Sequence, residues 1–135
     1  LMQLGTLSGN PVAAVAGLKT MEILRRPGAY DQLRGIGKTL QEMQTDALNK
    51  AGIAHQLVGD ETLFDIIFTD QPCVDYRSTK HQRPEQAALY NQVLRQHGVL
   101  KSPSKLYPSL AITEADLSQT EAAVEAAVKA LVDQS

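Results

Sequence analysis

The sequence predicts an α+β fold in which a small antiparallel sheet is covered by helices. Apolar residues recur at intervals of three and four in four separate stretches, two β-rich runs flanking Gly59-Asp60-Glu61 lie between the second and third of these, and the order does not follow strict β-α alternation. With 43% hydrophobic residues in 135, the chain has enough apolar material for a core.

The first helix is predicted from Pro11, with Asn10 placed to cap it and Val12, Val15, Ala16, Leu18, Met21, Ile23 and Leu24 giving it an apolar face up to Arg25-Arg26 and the Pro27-Gly28 stop. Tyr30, Leu33, Ile36, Leu40, Met43, Ala47 and Leu48 mark a second helix ending near Gly52. Gly35 and Gly37 lie inside it, and since an interior glycine costs about 1 kcal/mol relative to alanine, they point to another backbone packed closely there. A hairpin or meander follows, with strands at residues 55–58 and 63–69 on either side of a turn at 59–61. Residues 71–83 are polar and irregular.

A third helix opens at Pro84, runs through Ala87, Ala88, Leu89, Val93 and Leu94, and closes at His97-Gly98. Two short strands are expected at residues 99–100 and 109–112, around a turn at 101–105. The last helix is predicted to start at a capping box of Ser118 and Glu121 and to bury Ala122, Val124, Ala127, Val128, Leu131 and Val132.

Thirteen basic against fifteen acidic residues leave a net charge of −2 and no basic stripe, so no nucleic-acid partner is expected. No apolar run reaches the roughly 20 residues that cross a bilayer, and no secretory leader pattern opens the chain, so a cytoplasmic protein without a membrane partner is expected. Leu1-Met2-Gln3-Leu4 runs without polar lead-in to a glycine-rich turn and reads as a start in mid-fold. Cys73, the single cysteine, has no internal partner. His55, His81 and His97 share no metal-ligand spacing, so no metal site is predicted; His97 reads as the end of the third helix, His55 as an exposed strand-edge residue and His81 as a loop residue. Asp65 lies between Phe64 and Ile66, and alternation allows it to be either a buried acid or a solvent-facing one.

Gly5-Thr6-Leu7-Ser8-Gly9-Asn10-Pro11 is the segment with most chemical content. Its glycines permit close backbone approach, and a threonine hydroxyl with free amides can donate to phosphate oxygens. Spacing alone leaves two readings, an anion-binding turn and an ordinary connection before a capped helix.

This segment is similar to the GTxSGNP signature that class III pyridoxal-phosphate-dependent aminotransferases carry between their large and small domains. The resemblance implies the C-terminal small domain of a fold-type I, aspartate aminotransferase-like transferase, with residues 1–10 ending the large domain in the cofactor-phosphate loop and 11–135 forming the small domain and its connecting helix. It implies that Gly5 and Thr6 reach the pyridoxal 5'-phosphate of the other subunit of a homodimer. The catalytic Schiff-base lysine would then lie upstream, and no catalytic residue is assigned within the chain. Gly98-Val99-Leu100-Lys101-Ser102-Pro103-Ser104 resembles the glutamate-1-semialdehyde aminomutase branch, although Leu106, Tyr107 and Ile112 stand where that branch has an aromatic, a glutamate and a histidine.

Pro108-Ser109-Leu110-Ala111-Ile112-Thr113 resembles the PPLxIT pattern of many class III transaminases, and Lys105 occupies the place of their carboxylate-binding arginine. On the residues alone, Lys105 also reads as a solvated loop lysine. The implied activity is amino-group transfer between amino and keto or aldehyde compounds, by a parent enzyme of which this chain is an inactive piece, with an amino acid or amino aldehyde as substrate. The rival from another class is a free-standing, non-catalytic α+β interaction module.

Overall fold

The structure, a computed structural model, describes Gly5 and residues 9–134. Helix α1 (Pro11–Leu24) is followed by α2 (Ala29–Lys50), strands β1 (Gln56–Asp60) and β2 (Leu63–Ile67), a 3-10 turn (Ser78–His81), α3 (Pro84–Gln96) and α4 (Glu114–Asp133). Two compact units are present: one runs to Gln32 and the other begins at Leu33, so α2 passes from the first to the second.

In the first unit, α1 starts as its sequence requires. The Asn10 side chain accepts from the backbone N–H of Val12 at 2.9 Å and of Ala13 at 3.3 Å, and Pro11 fills the first helical position. None of its residues is buried: Val12, Val15, Leu18 and Met21 form an exposed apolar stripe.

The second unit holds the core, which Leu48 of α2, Ile66 and Phe68 of the β2 segment, Tyr90, Val93 and Leu94 of α3, and Ala123, Val124, Ala127, Val128 and Leu131 of α4 fill together. Helices α3 and α4 pack against each other, and Ala123 and Ala127 of α4 are wholly buried. The buried stripe is rotated from the predicted one: Ala123 replaces Ala122, and Val132 is exposed. Phe68 and Tyr90 meet edge to face, with ring centroids 5.4 Å apart. Gln44 is buried on α2, where its Nε2 donates to the Leu40 carbonyl at 2.8 Å while its Oε1 accepts from the Tyr90 hydroxyl at 3.2 Å.

An antiparallel hairpin forms, with Gln56 opposite Ile67 and Asp60 opposite Leu63; Gly59 and Asp60, expected in the turn, extend β1 instead, and β2 ends at Ile67 rather than Thr69. Asp60 Oδ1 closes its tip by accepting from the Thr62 N–H and hydroxyl, and Arg34 of α2 reaches Glu61 at 2.6 Å. Gly37 explains the approach of helix and hairpin, because a Cβ there would overlap the Glu61 carbonyl. Gly35 faces open space, so the expected close packing applies to one glycine of the pair.

Three expectations give way. Residues 99–100 and 109–112 are not strands; the sheet's outer contact is instead one residue, Leu106, whose N–H donates to the Phe64 carbonyl at 2.7 Å and whose carbonyl accepts from the Phe64 N–H at 3.3 Å. Pro103 and Pro108 flank it and remove ladder donors, which limits pairing there. Helix α4 begins a turn before the predicted Ser118, because Thr113 and Asp116 form the capping box: Asp116 Oδ2 accepts from the Thr113 N–H at 2.8 Å and the Thr113 hydroxyl accepts from the Asp116 N–H at 3.3 Å. His55 precedes β1 and is half-buried, its Nδ1 2.9 Å from the Ile53 carbonyl oxygen. His97 does end α3, with Nδ1 3.0 Å from the Val93 carbonyl. Gly98 follows at φ +81°, and the Gln119 amide of α4 fills the space beside it while donating to the His97 carbonyl at 3.0 Å.

Candidate functional site

The two groups of candidate residues lie in different units. Gly5 is exposed ahead of α1, and Thr6 lies outside the described residues. The Asn10 side chain already satisfies two of the first amides of α1, those of Val12 and Ala13. Gly9 is exposed, and a Cβ on it would meet nothing within 4 Å, so the backbone can be approached closely there. Exposed glycines that let a backbone be approached closely suit a phosphate group, and Gly5 and Gly9 are both exposed.

Lys105 is exposed on the turn between α3 and α4, where it pairs as an isolated antiparallel bridge with Ser102. Tyr107, two residues on, is exposed as well. Beside this turn lies a pair that sequence reasoning did not connect: Lys101 Nζ donates to Asp65 Oδ1 at 3.0 Å, and the two side chains are only 8% and 11% exposed. Burial pushes the Asp65 carboxyl above the usual aspartate range, with the Lys101 ammonium opposing it. The same burial, reinforced by the Asp65 charge, raises the Tyr90 hydroxyl far above the ordinary phenol range.

The sequence did contain a signal for the buried acid. Residues 63–68 are apolar but for Asp65, a pattern of a strand covered on both faces rather than one, and Phe64, Asp65, Ile66 and Ile67 are all buried. Lys101 is also the one lysine among the described residues that is not exposed, and its Nζ is committed to Asp65 and, at 3.1 Å, to the Ser102 carbonyl. It does not offer a free amine for cofactor attachment. Among the described residues no cluster of His, Cys, Asp and Glu is arranged to hold a metal ion, and no helix is long and apolar enough to cross a membrane. Cys73 is half-buried, 3.9 Å from the Gln71 carbonyl.

This fold and the turn sequence ahead of α1 are similar, along nearly the whole chain, to the C-terminal part of class III pyridoxal-phosphate-dependent transaminases and of glutamate-1-semialdehyde aminomutases. Its similarity runs to the aminomutase branch: it is 37% identical over 134 residues to glutamate-1-semialdehyde 2,1-aminomutase 2 of Brevibacillus brevis, covering 96% of this chain and 31% of that protein. Among solved structures it superposes on an omega-transaminase from Sphaerobacter thermophilus with a TM-score of 0.78 and 28% identity, over 96% of this chain and 30% of that one. A transaminase solved with pyridoxal phosphate bound shares the fold at a TM-score of 0.77 and 17% identity, over 99% of this chain and 30% of the other. The chain therefore spans about 30% of the length of the proteins it matches. No family model matches the sequence.

Proposed function

We propose that the chain serves as the small-domain part of a cytoplasmic, homodimeric enzyme that moves an amino group between amino and keto or aldehyde compounds with pyridoxal 5'-phosphate. The match to an aminomutase along 96% of the chain carries this reading. Bound at such a site, pyridoxal phosphate supplies the electron sink for bond breaking at the amine-bearing carbon. The residues of this chain do other work. The Gly5 amide and Thr6 hydroxyl donate to the cofactor phosphate of the partner subunit, with residues 1–10 completing the large domain. Lys105 pairs with a substrate carboxylate, while loop 103–109 covers the substrate and excludes water. The substrate class is a small amine that bears a carboxylate, whether an amino acid or an amino aldehyde.

Thr6→Val in the full-length enzyme tests the phosphate role. Valine keeps the branched shape and removes a donor to a charged group, a contact of about 1.5–3 kcal/mol, so cofactor retention should weaken roughly tenfold to a hundredfold with the fold unchanged. A hybrid dimer decides the geometry. One subunit carries Thr6→Val and the other lacks its cofactor-attaching lysine; with contact across the dimer, the lysine-bearing site receives an intact Thr6 and holds cofactor like wild type. Weak retention in that hybrid would place Thr6 beside its own subunit's cofactor.

A further inference from the structure

The turn at residues 102–105 is tied to the core on both sides. Before it, Lys101 reaches Asp65 at 3.0 Å. After it, Leu106 exchanges backbone hydrogen bonds of 2.7 and 3.3 Å with Phe64. Asp65 and Phe64 are consecutive on β2, so the two ends of the turn meet neighbouring residues of one strand. A third tie, from Asn91 Nδ2 to the Pro103 carbonyl at 3.3 Å, holds the turn from α3. Between these ties Lys105 is the turn's single charged residue, and it is exposed.

We propose that the Asp65–Lys101 ion pair is a latch that fixes this turn and so sets where the Lys105 ammonium meets the substrate carboxylate. Asp65 and Lys101 are then positioning residues for a carboxylate-bearing amine, an inference that rests on the reading of Lys105 given above. The chemistry of lysine supplies the reason. An ammonium on a four-carbon stem lacks the rigid fork of a guanidinium, so orientation has to come from the backbone that carries it. A buried ion pair adds little net stability compared with an apolar pair of the same size, but it is directional and strongly resists being separated. At the base of a turn whose only ordered task is to present one charge, direction is what the pair contributes. Leucine and methionine would fill the same space without it.

The test uses the full-length holoenzyme and two probes of equal chain length, 5-aminopentanoate and pentylamine, which differ in the carboxylate. Their apparent dissociation constants are read from the absorbance of the bound cofactor in wild type, Lys101→Met, Lys105→Ala and the double variant. Wild type should prefer the acid, and Lys105→Ala should weaken acid binding about tenfold while leaving the amine unchanged. Lys101→Met should weaken acid binding roughly three- to tenfold by loosening the turn, and should add nothing in the Lys105→Ala background. Lys101→Arg, which keeps the charge, should recover most of the loss.

If wild type does not favour the acid, or Lys105→Ala leaves acid binding intact, the carboxylate reading itself fails, and the latch fails with it. If Lys105 matters but Lys101→Met is silent, or weakens acid and amine alike, the latch alone is overturned. Should Lys101→Met not fold, Asp65→Leu with Lys101→Met keeps the site apolar and packed and carries the same comparison. Wild-type acid preference in that paired variant would overturn the ion-pair assignment.

Discussion

Gly35 and Gly37 lie two positions apart on α2, and a methyl group on each meets different surroundings. At Gly37 the new Cβ collides with the Glu61 carbonyl, which belongs to a hairpin tip already held by Arg34 and Asp60. Gly37→Ala should therefore destabilise the second unit by about 1–3 kcal/mol, as overpacking does. At Gly35 the space is open and the backbone helical, so Gly35→Ala should stabilise by about 0.5–1 kcal/mol. Denaturant midpoints at unchanged m-value would show the two shifts in opposite directions. Sequence reasoning places a close approach at this pair, but it does not choose between them, because the choice depends on which face of α2 turns toward a hairpin that follows much later in the chain.

Elements were legible where their signals are local. Asn10-Pro11, Pro84 and His97-Gly98 each mark a helix end through chemistry confined to a few residues, and each boundary falls where the signal puts it. The start of α4 shows how local signals compete. Thr113 with Asp116 and Ser118 with Glu121 satisfy the same capping pattern, and the earlier one wins because Ile112 and Leu117 are half-buried and the helix gains a turn by starting there. Thr113→Ala should accordingly cost about 1 kcal/mol in thermal unfolding, whereas Ser118→Ala should change stability by under about 0.5 kcal/mol. Hydrogen bonds from Thr113 hold the Asp116 carboxyl below its ordinary 3.8, so that contribution is present above this value and fades as pH falls through the folded one. The Asp65–Lys101 pair was not legible, since its members are 36 positions apart and only the packing of β2 on both faces brings them together.

Across the whole molecule, the helix order and the hairpin follow from periodicity, and the sheet's third contact does not. A single bridging residue leaves no alternation to read. The candidate site divides similarly, with Gly5 and Lys105 visible as motif positions while the framework behind Lys105 depends on tertiary contact. The central Tyr90 has one further consequence, which is optical. The chain has four tyrosines and no tryptophan, and Tyr90 is 1% exposed while Tyr30, Tyr76 and Tyr107 are open to solvent. A phenol whose folded pKa lies above its unfolded 10.0 contributes stability that is complete below that value and is lost as pH climbs toward the folded one. In an alkaline titration, the last increment of phenolate absorbance should coincide with the loss of helical circular dichroism. A final increment that precedes the loss of helix would mean that hydroxide reaches Tyr90 in the folded chain. The protein thus carries its own reporter, a chromophore at the centre of its core that ionises when the fold lets go.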